Sequence, residues 1–146
     1  LKEDKAETDL YKRLCDLGFK VCKNYRFKDD GSLTGDLYFE MKEKTIVIEV
    51  DDNNHKKKTL DSHLAKDGII IMGSKDVQMI RVWNKDIDLF MQHFDRLLEI
   101  DAKLVVFNSS KESNNVYKSI YSDCDALFDI VVDKIYVEKG GKKKNE

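Results

Sequence analysis

Asp36, Glu49, Asp51 and His55 follow one another within a short stretch of the chain, and their residue types are those that bind a divalent cation and move a proton. Alternating runs on either side of the polar turn Met41-Lys42-Glu43-Lys44 predict a hairpin, because successive side chains of a strand point to opposite faces. A turn centred between Lys42 and Glu43 sets Asp36 opposite Glu49. Leu37, Phe39, Ile46, Ile48 and Val50 then share one face, and Asp36, Tyr38, Val47, Glu49 and Asp51 the other. The apolar and acidic patterns thus select the same register. Opposed residues have Cβ atoms roughly 4.5–5.5 Å apart, and carboxylates that close repel one another unless a cation or a shared proton intervenes. A hard, oxygen-preferring ion meets that demand. The expected cofactor is Mg²⁺, with Mn²⁺ as a substitute, held by Asp36, Glu49 and Asp51 together with waters and substrate phosphate. The competing reading is a solvated turn, for which Asp51-Asp52-Asn53-Asn54 has suitable chemistry.

Lys56, Lys57 and Lys58 follow the acids directly. A basic run beside an acidic metal site suits a phosphodiester substrate, since the ion and the lysines neutralise phosphate while the carboxylates hold the ion. His55, with an unperturbed pKa near 6.5, is the candidate base for a metal-bound water. Lys20, Lys23, Arg26 and Lys28 form a second basic group, which serves equally well as a solvated face. Nucleic acid is therefore the expected partner.

The 146 residues suit one domain, and the formal net charge of −2 with 37% charged residues describes a chain whose polyanion binding must be local. Cys15, Cys22 and Cys124 are odd in number and lack C-x-x-C spacing, which gives neither a zinc motif nor a disulfide framework. There is no signal-peptide pattern and no apolar run approaching the ~20 residues of a membrane span. An intracellular setting follows as the expectation, in cytoplasm, nucleoid or nucleus, with no membrane partner. Because the chain begins at Leu1, it is expected to be a processed product or a piece of a larger protein; a homodimer is the other assembly considered.

The elements that must position these residues can be read from periodicity. Leu10, Leu14 and Leu17 predict a helix over residues 5–17 stopped by Gly18, with Glu7 on the same stripe, either wet at the helix end or reaching toward the acids. Strands are expected over 19–27, 33–39 and 45–51, a helix over 57–66 carrying Asp61 and His63, and strands over 69–72 and 77–83. Ile87, Phe90, Met91, Phe94, Leu97 and Leu98 predict one amphipathic helix that Asp86 helps to start. Residues 104–107 read as a short strand and 108–115 as a polar loop. Beyond that, a last helix on Val116, Ile120, Leu127, Val131 and Ile135 competes with strand for 130–132 and 135–137. The expected organisation is an α/β domain over 1–138, with a core at about 5–100, an extension over 101–138, and a frayed basic tail over 139–146.

A helix with Glu7, a strand with Asp36, a strand with Glu49 and then His55 resembles the PD-(D/E)XK nuclease superfamily. It is most similar to the very-short-patch-repair-like branch, whose I-E-V-D-G-x-x-H segment corresponds to Ile48-Glu49-Val50-Asp51-Asp52-Asn53-Asn54-His55. The related homing nucleases, with an E-D-x-H-D constellation, suggest Glu7, Asp36, His55 and Asp61 in the same order. The likeness spans residues 5–83. It implies a restriction-endonuclease-like αβββαβ core, here with an extra C-terminal helix, and a metal-dependent endonuclease that hydrolyses phosphodiester bonds in nucleic acid, DNA ahead of RNA. Asp36 would be the central ligand, Glu49 the acid ending the second metal-binding strand, His55 the base, Glu7 a metal-linked acid and Asp61 an accessory. Viral or mobile-element origin suits this branch. Two departures stand out: Asp51 occupies the place of the superfamily's usual lysine, and the repair enzyme's zinc-binding cysteines and histidines have no counterpart. These leave two other readings, a catalytically silent nucleic-acid-binding or assembly module on the same scaffold, and an RNA endonuclease.

Overall fold

The computed structural model describes residues 5–26, 34–52 and 76–121. The chain is an α/β protein whose mixed sheet is flanked by helices. In order come α1 (Lys5–Asp16), β1 (Cys22–Arg26), β2 (Thr34–Glu40), β3 (Thr45–Asp51), β4 (Val77–Trp83), a 3₁₀ turn (Asn84–Asp86), α2 (Ile87–Gln92), α3 (Phe94–Leu98), β5 (Leu104–Phe107) and α4 (Lys111–Tyr121). The sheet order is β1-β2-β3-β4-β5. The first three strands form an antiparallel meander, and β3, β4 and β5 run parallel.

Helix α1 ends as Gly18 predicts. Gly18 adopts φ 101, its N–H donates to Cys15 O at 2.9 Å and the Phe19 N–H donates to Leu14 O at 3.3 Å. That pair of bonds is the Schellman arrangement, which satisfies carbonyls the helix leaves over. The hairpin has the register that the sequence predicts, with Leu37 opposite Ile48, Tyr38 opposite Val47 and Phe39 opposite Ile46. Its turn closes through the Met41 N–H and Lys44 O at 2.8 Å.

One sheet face carries Leu37, Phe39, Ile46, Ile48, Val50, Ile80, Val82, Val105 and Phe107, and α1, α2 and α3 pack there through Leu10, Leu14, Ile87, Phe90, Phe94 and Leu97. The other face carries a smaller core of Val47, Met79, Trp83, Leu104 and Val106, closed by Tyr117 of α4.

Three elements differ from expectation. The stripe from Ile87 to Leu97 is divided between two helices at His93, whose N–H is shared between Leu89 O and Phe90 O; such three-centre bonding tightens a turn while the buried stripe continues across it. Asp86 makes no cap bond to α2, because its Oδ2 instead accepts the Ser109 and Ser110 hydroxyls, each at 3.0 Å. The expected polar loop after residue 108 gives way to α4. Ser110 Oγ accepts the Ser113 N–H at 3.1 Å and Ser113 Oγ accepts the Ser110 N–H at 2.9 Å, a reciprocal cap with serine where the recognisable signature has Glu or Gln. The expected helix over 57–66, the strand over 69–72 and everything after residue 121 lie outside the described residues.

At the hairpin end of the sheet, Gln78 acts as a clamp: its amide donates to Ile100 O and Ala102 O at 2.8 and 2.7 Å and accepts from Lys44 Nζ at 3.0 Å. Replacing Gln78 with Met keeps the volume but removes the donors to two carbonyls and one of the acceptors of Lys44, whose ammonium keeps Leu98 O at 3.3 Å. The expected loss is about 1–3 kcal/mol, read from the urea midpoint against wild type; an unchanged midpoint would show that solvent already satisfies these groups.

Candidate functional site

The parallel ladder aligns side chains in lateral rows on the face that α4 covers. Val47, Met79 and Leu104 make the first row, and Glu49, Arg81 and Val106 the second. Asp51 and Trp83 are paired in the third, where Asn108 follows one step after the Val82–Phe107 pair. Glu49, Asp51 and Arg81 are only 2%, 1% and 1% exposed. Ionised groups so deep in a protein persist only with partners. Arg81 Nη1 donates to Asp51 Oδ1 at 2.9 Å and the Tyr117 hydroxyl donates to Asp51 Oδ2 at 2.7 Å. Tyr117 also meets Trp83 edge to face, with centroids 6.3 Å apart. Asn108 Nδ2 donates to Asn114 Oδ1 at 2.9 Å, a second polar tie between the sheet and α4.

Asp36 arrives differently from the way strict alternation predicts. The β1–β2 pairs Lys23–Leu37 and Tyr25–Gly35 leave Asn24 and Asp36 between them, and Asn24 takes the left-handed φ of 61. Asparagine tolerates that conformation better than most residues. Leu37 faces the α1 side, whereas a Cβ on Gly35 would approach Val47 Cγ1 at 2.3 Å and Glu49 Oε2 at 3.4 Å on the α4 side. Asp36 therefore lies at a local break in the pleat. Its Oδ2 accepts the Val50 N–H at 2.8 Å, which sets the carboxylate beside the peptide that joins Glu49 to Val50.

The structure thus gathers Asp36, Glu49 and Asp51 at the same end of β2 and β3. Glu49 and Asp51 are buried there and Asp36 is half-buried. Asp51 binds Arg81 and Tyr117 through its two oxygens. Among the described residues, no group of three or more His, Cys, Asp or Glu side chains is placed to hold a metal ion. Glu7 is half-buried in the first turn of α1, on the helix that packs against the opposite face. His55, Lys56, Lys57, Lys58 and Asp61 lie outside the described residues.

Arg81 and Tyr117 were not among the residues expected at the site. Arg81 had a signal, being the one charge in the otherwise uncharged strand Val-Gln-Met-Ile-Arg-Val-Trp. Tyr117 had none, since it meets Asp51 from 66 positions away.

No helix among the described residues is long and apolar enough to cross a membrane. No family model, curated protein or solved structure matches the chain.

Removing one partner of a buried ion pair leaves an uncompensated charge. Arg81→Met is expected to cost about 3–5 kcal/mol, whereas Arg81→Met combined with Asp51→Leu should cost less than the sum of the single changes. A double-mutant cycle on urea unfolding measures the coupling. Gly35→Ala pushes a methyl against the stiff, buried Val47 and should cost about 1–3 kcal/mol, partly recovered by adding Val47→Ala.

Proposed function

We propose that the chain is a metal-dependent endonuclease that hydrolyses phosphodiester bonds in DNA, on a restriction-endonuclease-like core. The observation that carries this reading is the placement of Asp36 beside the Glu49–Val50 peptide, at the end of the hairpin where the pleat breaks. The element order supports it as well: a helix, an antiparallel three-strand meander and a fourth strand parallel to the third agree with those parts of the αβββαβ scheme that the sequence resemblance implies, and the helix expected over 57–66 lies outside the described residues.

The donor set suits a hard cation. Glu49 and Asp36 offer carboxylate oxygens, the ligands that such an ion takes. Asp36 and Glu49 would hold the ion, and Asp51 acts mainly as the anchor for Arg81. When bound, Mg²⁺ or Mn²⁺ supplies Lewis acidity to the phosphate and a more acidic water. The remaining work belongs to the chain. Arg81, next to Glu49 in the ladder and fixed by Asp51, keeps a positive charge at the site where the superfamily's lysine is missing. His55 takes the proton from the attacking water. Lys56, Lys57 and Lys58 hold the phosphate backbone without reading sequence.

A second reading, a silent nucleic-acid-binding module, is favoured by Asp51 standing in the lysine position and being engaged by Arg81 and Tyr117. The test compares cleavage of supercoiled, linear and mismatched DNA and of single-stranded RNA, with and without Mg²⁺ or Mn²⁺. Cutting of DNA should require the ion, vanish in Asp36→Asn and Glu49→Gln, and fall by about 10²–10⁴ in His55→Ala. Undiminished cutting by Glu49→Gln sinks the assignment, absence of both cutting and metal affinity favours the silent module, and strict RNA preference moves the substrate.

A further inference from the structure

Tyr117 brings α4 as far as Trp83 and Asp51, and toward the β1–β2 edge the same sheet face carries two half-exposed phenol rings. Tyr25 and Tyr38 meet edge to face, with centroids 5.1 Å apart and planes at 70°. Strict alternation from Lys23, which reaches over Tyr11 of α1, would send Tyr25 to the α1 side. The left-handed backbone at Asn24 turns it to the α4 side instead. A rare conformation is thus spent on putting an aromatic ring at this place.

The place is adjacent to the acids. A Cβ on Gly35 would lie 3.4 Å from Glu49 Oε2 and 3.7 Å from Tyr25 Cβ, so only a glycine separates the ring's strand from the Glu49 carboxylate. The Tyr25 phenol is pushed up from its ordinary pKa first by burial and then by the Glu40 charge, so it stays neutral and hydrogen-bonding at pH 7. Of the cations near this edge, Lys23 reaches over Tyr11 on the α1 side, while Lys20 and Arg26 are exposed. Aromatic rings beside an acid site that handles phosphate suit unpaired strands, because every base has a π-face to set against a ring.

We propose that Tyr25 and Tyr38 form a stacking platform for an unpaired nucleobase, so that the substrate class is nucleic acid with a single-stranded or unstacked segment at the cutting position. This rests on the nuclease reading for the cutting, though not for the binding.

Fluorescence anisotropy in EDTA, with the full chain and no cleavage, separates the two. The probes are labelled oligothymidylate, an abasic oligonucleotide of the same length, and a duplex of that length. The base-bearing single strand should bind roughly 5- to 150-fold more tightly than the abasic strand, and more tightly than the duplex. Tyr25→Ala and Tyr38→Ala should erase the preference for bases, and Tyr25→Phe and Tyr38→Phe should keep it. Equal affinity for base-bearing and abasic strands, preference for duplex, or full base preference in both alanine variants would overturn the platform. The wild-type and phenylalanine arms hold whether or not the alanine variants fold. Base-dependent binding without Mg²⁺-dependent cutting sustains the platform while removing the nuclease reading. Cutting with no discrimination against abasic strands does the reverse.

Discussion

A guanidinium inside a β-sheet is the constraint from which the rest of this structure follows. Arg81 is buried in the sheet between Glu49 and Val106, and its bond to Asp51 offsets part of the cost of that position. Asp51 in turn requires Tyr117, so one charge ties β3, β4 and α4 together. A slip of either strand by one residue would turn Arg81 into the hydrocarbon core of the opposite face, at a cost far beyond that of misplacing an apolar side chain. The ion pair therefore enforces the parallel register more strictly than packing alone would, and Glu49 is placed by the register so enforced.

The chain concentrates its polar chemistry where strand direction changes. β3 pairs antiparallel with β2 and parallel with β4, so residues at its end meet side chains from a local hairpin on one side and from a distant segment on the other. The two contributions differ in kind. The hairpin brings Asp36 by a short connection, with its carboxylate bound to main chain. The parallel partner brings Arg81 after a long excursion, with its charge bound to a side chain. Beyond the ends of β4 and β5, Asp86 gathers the serine hydroxyls at the start of α4, which fixes the helix that supplies Tyr117.

Much of this was readable in the sequence, for identifiable reasons. The hairpin register followed from two patterns that agreed, apolar alternation and the acids between, and the strand from Val77 to Trp83 from its continuous run of large residues. Gly18 marked a helix end because its left-handed backbone has few alternatives. The missed features depend on contacts that pattern does not encode. Asp86 has the chemistry of a helix cap, but hydroxyls more than twenty residues away compete for it. Ser113 performs the task usually signalled by an acid, so the first half of α4 looked like loop, while Val116 and Ile120 marked its second half as helix. The pleat break at Asn24 and Asp36 accompanies a left-handed backbone at Asn24, which apolar alternation does not encode.

The left-handed residue in β1 also bears on self-association. An edge strand presents a row of main-chain donors and acceptors that can recruit another chain, and proteins blunt such edges with charge and local distortion. Asn24 interrupts the row at its centre, between the exposed Lys23 and the half-buried Tyr25. Among the described residues β1 is the outer strand, so the dihedral that sets Tyr25 on the α4 side also breaks the row of main-chain groups on which a further strand would have to pair.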